Sequence, residues 1–226
     1  TIKLNRVIKN ERYILTVSDN QFRKNLPRAL DAFGRLLQTH LELSDVVYVI
    51  VTKRYTKDGW DLDEIADRYD VPKKNRLFID NSIVDRPALR SLYENAICFV
   101  LPSFAEGIGL PLYEAQSCKC PIVATDHPNI YEAVNGDPES LVLSRKLEYP
   151  LNNMWYYDID VEILAAKIWA RLIENKRLPQ SRTIGWDLAA DKILYTLQKG
   201  LETDVVKEKE TLSTVDYSQF VSQESS

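Results

Sequence analysis

The sequence predicts an α/β domain whose mainly parallel, six-stranded sheet is covered by helices on both faces. Three observations lead to this prediction. Short apolar runs rich in β-branched and aromatic residues alternate with longer segments in which apolar residues recur at helical spacing. Most of the short runs are continuously apolar, which is typical of parallel strands buried on both faces. Two polar loops follow strands, and ligands bind beyond the carboxyl ends of strands in sheets of this kind.

Six short apolar runs are the predicted strands. They lie at residues 13–17, 46–51, 76–79, 97–101, 121–125 and 141–143. Helical patterns separate most of them, and a helix is the usual crossover between parallel neighbours. A doubly wound sheet with helices on both faces is the expected result.

Helices are predicted where apolar residues recur every three or four positions. These segments are residues 25–39, 60–69, 86–95, 111–117, 129–134, 160–175 and 183–199. Asp85 can cap the third of them, and Pro87 falls in its first turn, where a missing N–H group is tolerated. Residues 145–157 contain four aromatic side chains without either periodicity, so we interpret them as an excursion loop.

The chain divides into three segments. Residues 1–12 are expected to form a linker, residues 13–200 one folded domain, and residues 201–226 a polar, mobile tail. Residue 1 is Thr, and Met154 is the sole methionine. We therefore expect this chain to be an excised or processed piece of a longer protein.

The composition argues against several classes of function. A formal net charge of −4, from 29 basic and 33 acidic residues, does not favour a nucleic-acid surface. No apolar run approaches the roughly 20 residues that a membrane-spanning helix needs, so we expect no transmembrane segment. Three cysteines, at positions 98, 118 and 120, have apolar neighbours and indicate buried thiols in a reducing compartment. The alternative, a Cys-x-Cys metal or redox site, lacks a second cluster of Cys or His residues.

The most informative stretch is Phe104-Ala-Glu-Gly-Ile-Gly-Leu-Pro-Leu-Tyr-Glu-Ala115, which follows the fourth predicted strand. Gly107 and Gly109 remove side chains where the backbone turns, and Pro111 suits the start of a helix. The exposed N–H groups of a helix N-terminus bind phosphate groups. Glu106 and Glu114 flank this turn and can accept hydrogen bonds from hydroxyl groups. The stretch therefore predicts a site for a phosphate-bearing, hydroxyl-rich ligand such as a nucleotide sugar.

The same stretch, continued by Ser-Cys-Lys-Cys-Pro-Ile-Val-Ala-Thr-Asp126, resembles the signature of the group-1 (family 4) retaining glycosyltransferases. Other segments are similar to the same family and occur in its order. They are Lys24-Asn25-Leu26 with Ala32-Phe33, Tyr131-Glu132-Ala-Val, and the segment from Trp186 to Asp191. The resemblance extends from about residue 13 to residue 200, so it is far more specific than a single glycine motif.

The resemblance implies half of a two-domain enzyme of the GT-B fold. Such enzymes have two Rossmann-like halves that face a cleft, and this chain matches only the C-terminal, donor-binding half. The implied substrates are a nucleoside diphosphate sugar and a glycan or lipid-linked acceptor, with most of the acceptor site on the N-terminal half. No cofactor and no metal ion are expected. The implied location is cytoplasmic, with peripheral attachment to the membrane through the other half.

The resemblance also assigns residue roles. Glu106 is expected beside the hydroxyls of the donor sugar near the reacting centre, and Lys24 beside the diphosphate. Glu114 is expected to accept hydrogen bonds from the ribose, while the backbone amides of Gly107, Ile108, Gly109 and Leu110 meet the sugar and diphosphate. Retention is expected through front-face attack without a protein nucleophile. Simpler interpretations remain open: a solvated loop lysine for Lys24, a turn carboxylate for Glu106 and a first-turn glutamate for Glu114.

The sequence departs from the family pattern at two places. Ser18-Asp19 replaces a pair that often carries a basic residue, and Arg23 either supplies the missing charge or points away. Lys119 occupies a position where glycine is usual, which costs about 1 kcal/mol if the backbone there is left-handed. His127 could line the crevice, but we expect a surface histidine.

Two alternatives belong to other functional classes. A non-catalytic, glycosyltransferase-like partner subunit is favoured by Ser18-Asp19 and by the aromatic residues at 149–157. A sugar-nucleotide epimerase of similar architecture fits the spacing of Glu106 and Glu114 less well. Recognition of the base is expected from the backbone around residues 79–83, which encodes little in side chains.

Overall fold

The computed structural model describes residues 11–53, 56–57, 59–134, 137–149 and 154–178. Six strands form one sheet in the order β3-β2-β1-β4-β5-β6, and all neighbouring pairs are parallel. They are β1 Tyr13–Val17, β2 Val47–Thr52, β3 Arg76–Asp80, β4 Cys98–Leu101, β5 Ile122–Thr125 and β6 Leu141–Val142. This order confirms the predicted doubly wound, Rossmann-like sheet.

Six α-helices lie within the described ranges, and each matches a predicted segment within about two residues. They are α1 Leu26–Thr39, α2 Leu62–Arg68, α3 Arg86–Asn95, α4 Leu110–Ser117, α5 Pro128–Ala133 and α6 Val161–Glu174. Asp85 caps α3 as predicted, since its side chain accepts a hydrogen bond from the Ala88 N–H at 2.8 Å. The predicted linker is described only at residues 11 and 12. The predicted helix at 183–199, which contains the segment from Trp186 to Asp191, and the tail lie outside the described residues.

Two hydrophobic clusters cover the sheet, one on each face. Ile14 belongs to one cluster, whereas its neighbours Tyr13 and Leu15 belong to the other, as the two-residue period of a strand requires. Helices α1 and α6 contribute to the first cluster, and α3, α4 and α5 contribute to the second. The continuous apolar runs of the sequence are explained by this burial on both faces.

The segment predicted as an excursion loop is a β-hairpin, so that interpretation was wrong. Strands β7 (Ser144–Tyr149) and β8 (Met154–Ile159) pair antiparallel in a separate two-stranded sheet. Each strand supplies the backbone partners of the other, so a hairpin needs no apolar alternation that could have revealed it. The Tyr157 N–H donates to the Phe104 carbonyl at 2.8 Å, which attaches the hairpin to the loop after β4.

Lys119 has a left-handed backbone with φ of 55°, as its position in place of glycine suggested. This conformation costs roughly 1 kcal/mol or more for a residue with a side chain. The turn that contains it ends α4 and leads into β5.

The cysteines are free thiols: Cys98 and Cys120 are buried, and Cys118 is partly buried. Burial raises the pKa of the Cys120 thiol to about 12, so it remains protonated at neutral pH. Within the described ranges, no group of three or more metal-ligating side chains occurs. A search of the same ranges finds no helix with the length and apolar character to span a membrane.

Candidate active site

The strand order places two loops side by side. Strands β1 and β4 are neighbours at the centre of the sheet, and the chain proceeds from them toward opposite edges. Parallel sheets bind ligands outside the carboxyl ends of strands at such a switch point. The loop after β1 contains Lys24, and the loop after β4 contains Glu106. A hydrogen bond of 2.8 Å from the Phe104 N–H to the Arg23 carbonyl joins the two loops.

A short 3-10 turn, Phe22–Lys24, presents the two basic residues of the first loop. Asn25 ends this turn in the left-handed region, with φ of 52°, and helix α1 begins at the next residue. Pro27 lies in the first turn of α1, where its missing N–H group is tolerated. The turn therefore joins Lys24 directly to a rigid helix.

Glu106 is the centre of the site. Its side chain is only 5% exposed, and one of its oxygens, Oε1, accepts hydrogen bonds from Lys24 Nζ at 2.6 Å and from Ser103 Oγ at 2.7 Å. The other oxygen, Oε2, lies 3.5 Å from Arg23 Nη1. A buried carboxylate is stable only with such partners, because losing water costs several kcal/mol.

The interpretation of Lys24 as a solvated loop lysine does not hold, because its side chain is only 9% exposed. Arg23 points into the site rather than away from it, since its Nη1 atom also lies 3.4 Å from the Ala105 carbonyl. Its side chain remains 40% exposed. Asp19, by contrast, is exposed. Two cations therefore surround one carboxylate and leave the cluster with a net positive charge.

Helix α4 begins at the crevice, immediately after the glycine-containing turn. Gly109 precedes the helix with φ of 70°, a conformation that favours glycine, and a Cβ there would lie 3.0 Å from Leu112 Cδ1. Gly107 differs, because a Cβ on it would have no atom within 4 Å. Packing within the described protein therefore does not require glycine at position 107, whereas close approach of a ligand to the backbone would.

Asn129 orients the peptides of this turn, and sequence analysis did not identify it. Its side-chain amide donates to the carbonyls of Glu106, at 3.0 Å, and Gly107, at 2.6 Å. A trans peptide directs its N–H opposite to its carbonyl, so the N–H groups of Gly107 and Ile108 point away from Asn129. Asn129 is a polar residue at the start of a short helix, so the sequence did not indicate this contact.

Glu114 lies in the second turn of α4, so the simple first-turn interpretation does not apply. The residue is exposed, and its Oε2 accepts a hydrogen bond of 2.8 Å from the Tyr93 hydroxyl of α3. Burial, and then the charge of Glu114, raise the pKa of Tyr93, which keeps its hydroxyl a donor. In the sequence, Tyr93 lies among the apolar residues of the predicted helix 86–95. Its contact with Glu114 depends on tertiary packing, so the sequence does not indicate it.

His127 is buried, contrary to the expected surface position. Its ring packs edge-on against Tyr157, with ring centroids 4.5 Å apart, and its Nδ1 accepts from the Asn129 N–H at 3.2 Å. Burial lowers the pKa of His127, and the charges of Glu106 and Asp126 oppose that effect. The hairpin, which the sequence did not reveal, supplies the covering ring.

The family model for "Glycosyl transferases group 1" matches residues 2–143 of this chain, more than half of its 226 residues. The chain belongs to this family. The match contains both loops of the candidate site, the Lys24 loop and the Glu106 loop. Membership of this family leaves the epimerase alternative without support.

Two curated relatives come from Escherichia coli. The O-antigen chain mannosyltransferase B is 27% identical over 184 residues, covering 77% of this chain and 42% of the relative. The serotype-specific mannosyltransferase WbdA is 27% identical over 135 residues, covering 58% of this chain and 14% of the relative. This chain therefore spans less than half the length of these relatives.

Solved structures of GT-B glycosyltransferases share the fold. WaaG, described as a glycosyltransferase involved in lipopolysaccharide biosynthesis, superposes with a TM-score of 0.56 at 17% identity, over 76% of this chain and 40% of WaaG. An α,α-trehalose 6-phosphate synthase from Burkholderia multivorans gives a TM-score of 0.64 at 14% identity, over 92% of this chain and 46% of the synthase. At these identities the likeness concerns the fold alone.

Proposed function

We propose that this chain is the donor-binding half of a retaining glycosyltransferase, which transfers a sugar from a nucleoside diphosphate sugar to a glycan or lipid-linked acceptor. One observation carries this proposal. The two cations Lys24 and Arg23 meet the buried Glu106 at the switch point of the sheet, beside the start of helix α4. Group-1 family membership supports the same conclusion.

Charge stabilisation is the proposed role of the cations. Breaking the bond between the sugar and the diphosphate builds negative charge on the diphosphate, and fixed cations stabilise that charge without reorganising. Lys24 is held in place by Glu106 at 2.6 Å, so its ammonium group is already oriented before the donor binds. Hydrogen bonds from an ammonium group strengthen as the phosphate charge grows. These cations would neutralise the diphosphate without a bound metal ion.

Sugar and ribose recognition is proposed for the two carboxylates and the turn between them. Glu106 would accept hydrogen bonds from donor-sugar hydroxyls, while the outward N–H groups of Gly107 and Ile108 would bind the sugar and diphosphate. Gly109 and Leu110 would add the N-terminal amides of α4. Glu114 would bind the ribose hydroxyls with Oε1, because Tyr93 donates to Oε2.

The rest of the enzyme is also part of the proposal. A second Rossmann-like half would hold most of the acceptor site, attach the enzyme peripherally to the membrane from the cytoplasmic side and close the cleft over the donor. Transfer would retain the anomeric configuration by front-face attack, without a protein nucleophile. Mannosyl nucleotides are the first donors to test, because the curated relatives are named as mannosyltransferases.

The test is a transfer assay on the full-length enzyme that contains this chain. Lys24→Ala and Glu106→Ala should each lower kcat by about 10²–10³, the usual effect of losing one charge-stabilising group. Arg68→Ala and Glu64→Ala are matched controls, because they remove an exposed ion pair on α2 and should leave kcat unchanged. Near-normal rates for both site variants would contradict the assigned roles.

A non-catalytic partner subunit is the second candidate function. Ser18-Asp19 favours it, because Asp19 places an exposed carboxylate where the family often has a cation. The exposed aromatic hairpin also suits a contact surface. A full-length protein that assembles with an active enzyme, loses that assembly when residues 149–157 are deleted, and transfers no sugar by itself would establish this alternative.

A further inference from the structure

A small cleft lies between the hairpin and the two loops of the candidate site. We call it the hairpin cleft and define it by its lining residues, Phe22, Phe104, Leu147, Tyr156, Arg28, Asp158 and Glu148. Its volume is about 250 Å³. None of the roles assigned above uses these side chains.

Three aromatic rings form one wall of the hairpin cleft. The ring centroids of Phe22 and Phe104 are 5.4 Å apart, and Tyr156 lies 5.9 Å from Phe104 and 6.2 Å from Phe22. Leu147, which pairs with Tyr156 across the hairpin, extends this wall. The negative faces of aromatic rings attract the weakly positive C–H groups of a saturated ring.

The remaining lining of the hairpin cleft is polar. Arg28 Nη2 donates to Asp158 Oδ1 at 2.9 Å, and both side chains remain about one-third exposed. The guanidinium carries further N–H donors, and the carboxylate has further acceptor sites. An apolar partner laid over this pair would remove both charges from water, which is costly, whereas hydroxyl groups would hydrogen-bond to them.

The hairpin cleft is continuous with the reactive cluster. Phe104 lies two residues before Glu106, and Phe22 lies two residues before Lys24 on the other loop. The backbone bonds from the Phe104 N–H to the Arg23 carbonyl and from the Tyr157 N–H to the Phe104 carbonyl hold these parts together. A molecule in the hairpin cleft would therefore lie next to the proposed donor site.

We propose that the hairpin cleft is a subsite for a carbohydrate acceptor, with one sugar ring stacked on the aromatic wall and its hydroxyls bound by Arg28 and Asp158. This inference rests on the proposed transferase function. A sugar ring offers both an apolar C–H face and hydroxyl edges, which match the aromatic wall and the polar lining. The volume of about 250 Å³ is slightly below the usual range of ligand pockets, about 300–1,000 Å³. That size favours a single ring over a helix or a lipid chain.

The test measures binding of α-linked mannobiose and of GDP-mannose to the full-length enzyme, each by titration calorimetry. Tyr156→Ala should weaken mannobiose binding about fivefold to tenfold, as the loss of one aromatic contact predicts, while leaving GDP-mannose binding unchanged. Tyr156→Phe should keep mannobiose binding, because the ring remains. Arg28→Gln tests the polar lining independently and should weaken mannobiose binding by a similar factor.

Trp155→Ala is the matched control, because Trp155 neighbours Tyr156 on the same strand but packs with Lys146 and does not line the hairpin cleft. It should leave mannobiose binding unchanged. Two outcomes would overturn the subsite alone, provided that the enzyme binds GDP-mannose. In the first, Tyr156→Ala and Arg28→Gln do not change mannobiose binding. In the second, the unaltered enzyme does not bind mannobiose. Loss of vesicle binding or of subunit assembly in Tyr156→Ala, with mannobiose binding intact, would also overturn it. An enzyme that binds neither GDP-mannose nor any other nucleoside diphosphate sugar would contradict the proposed function instead.

Discussion

Glu106 and Glu114 lie eight positions apart in one motif, yet their environments are opposite. Glu106 is nearly inaccessible and has contacts with Lys24, Ser103 and Arg23. Glu114 is exposed on α4 and has a hydrogen bond from Tyr93. The two carboxylates are therefore arranged differently for a ligand, one buried among charged partners and the other exposed. Glu106 positions two cations and would accept the donor-sugar hydroxyls within that buried cluster, whereas Glu114 would accept the ribose hydroxyls as an exposed residue.

The largest expected difference between the two carboxylates is in folding stability. Lys24→Met removes the closest cation from a buried carboxylate, and we expect a loss of about 2–3 kcal/mol, somewhat below the usual cost of breaking a buried pair because Arg23 and Ser103 remain. Glu114→Gln should change stability by less than about 1 kcal/mol, because the carboxylate is exposed. Urea unfolding of the 226-residue chain measures both values.

A double variant distinguishes the charge effect from simple loss of packing. Lys24→Met combined with Glu106→Gln removes the unpaired charge, so it should be more stable than Lys24→Met alone. Equal destabilisation by Lys24→Met and Glu114→Gln would remove the distinction between the two sites.

The sequence was sufficient for the sheet and for the helices of the described residues, because those depend on local patterns. Burial on both faces required apolar runs, and the turn before α4 required Gly109. The residues that orient the site were not predictable in the same way. Asn129 and Tyr93 act through contacts 22 and 21 residues away in sequence, and neither position differs from an ordinary helical one. The hairpin was missed because its two strands pair with each other and show no apolar alternation.

The second prediction concerns Tyr93, which orients Glu114. In the full-length enzyme, Tyr93→Phe should raise the KM for the donor about threefold to tenfold, the effect of losing one hydrogen bond, with little change in kcat. Tyr113→Phe on α4 is the control and should leave the KM unchanged, because Tyr113 is 40% exposed. A fall in kcat without a change in KM would show that Glu114 acts in the chemical step, as proposed for Glu106, rather than in ribose binding.

The third prediction separates backbone strain at Lys119, in the turn after α4, from donor binding by Glu114 on α4. Lys119→Gly should stabilise the chain by about 0.5–1 kcal/mol, because glycine adopts the left-handed conformation without the side-chain penalty. Lys119→Ala should give no such gain, since alanine retains the penalty. Thermal unfolding measures both variants. The donor KM should not change in Lys119→Gly, because Tyr93 rather than this turn orients Glu114; a changed KM would contradict that division.

The smallest expected effect is a change in the pKa of His127, which tests whether the charge of Glu106 acts as far as that ring. Burial lowers the pKa of His127 from its ordinary value of 6.5, while the charges of Glu106 and Asp126 raise it in part. Removing the Glu106 charge in Glu106→Gln should therefore lower the pKa of His127 further, whereas Glu114→Gln should leave it unchanged. Proton NMR titration of the His127 ring measures the pKa in each variant.

The lowered pKa of His127 also makes the free energy of unfolding depend on pH. Because the pKa of His127 is lower in the folded chain than in the unfolded chain, the unfolded chain binds more protons between the two values. The contribution of His127 is therefore fully present above about pH 6.5 and is lost as the pH falls through the folded value. His127→Asn should make the chain less sensitive to pH in this window, as measured by urea unfolding at pH 7 and pH 5. An unchanged pH dependence would mean that the His127 ring is accessible to water in solution. The buried environment around Glu106 would then not include His127.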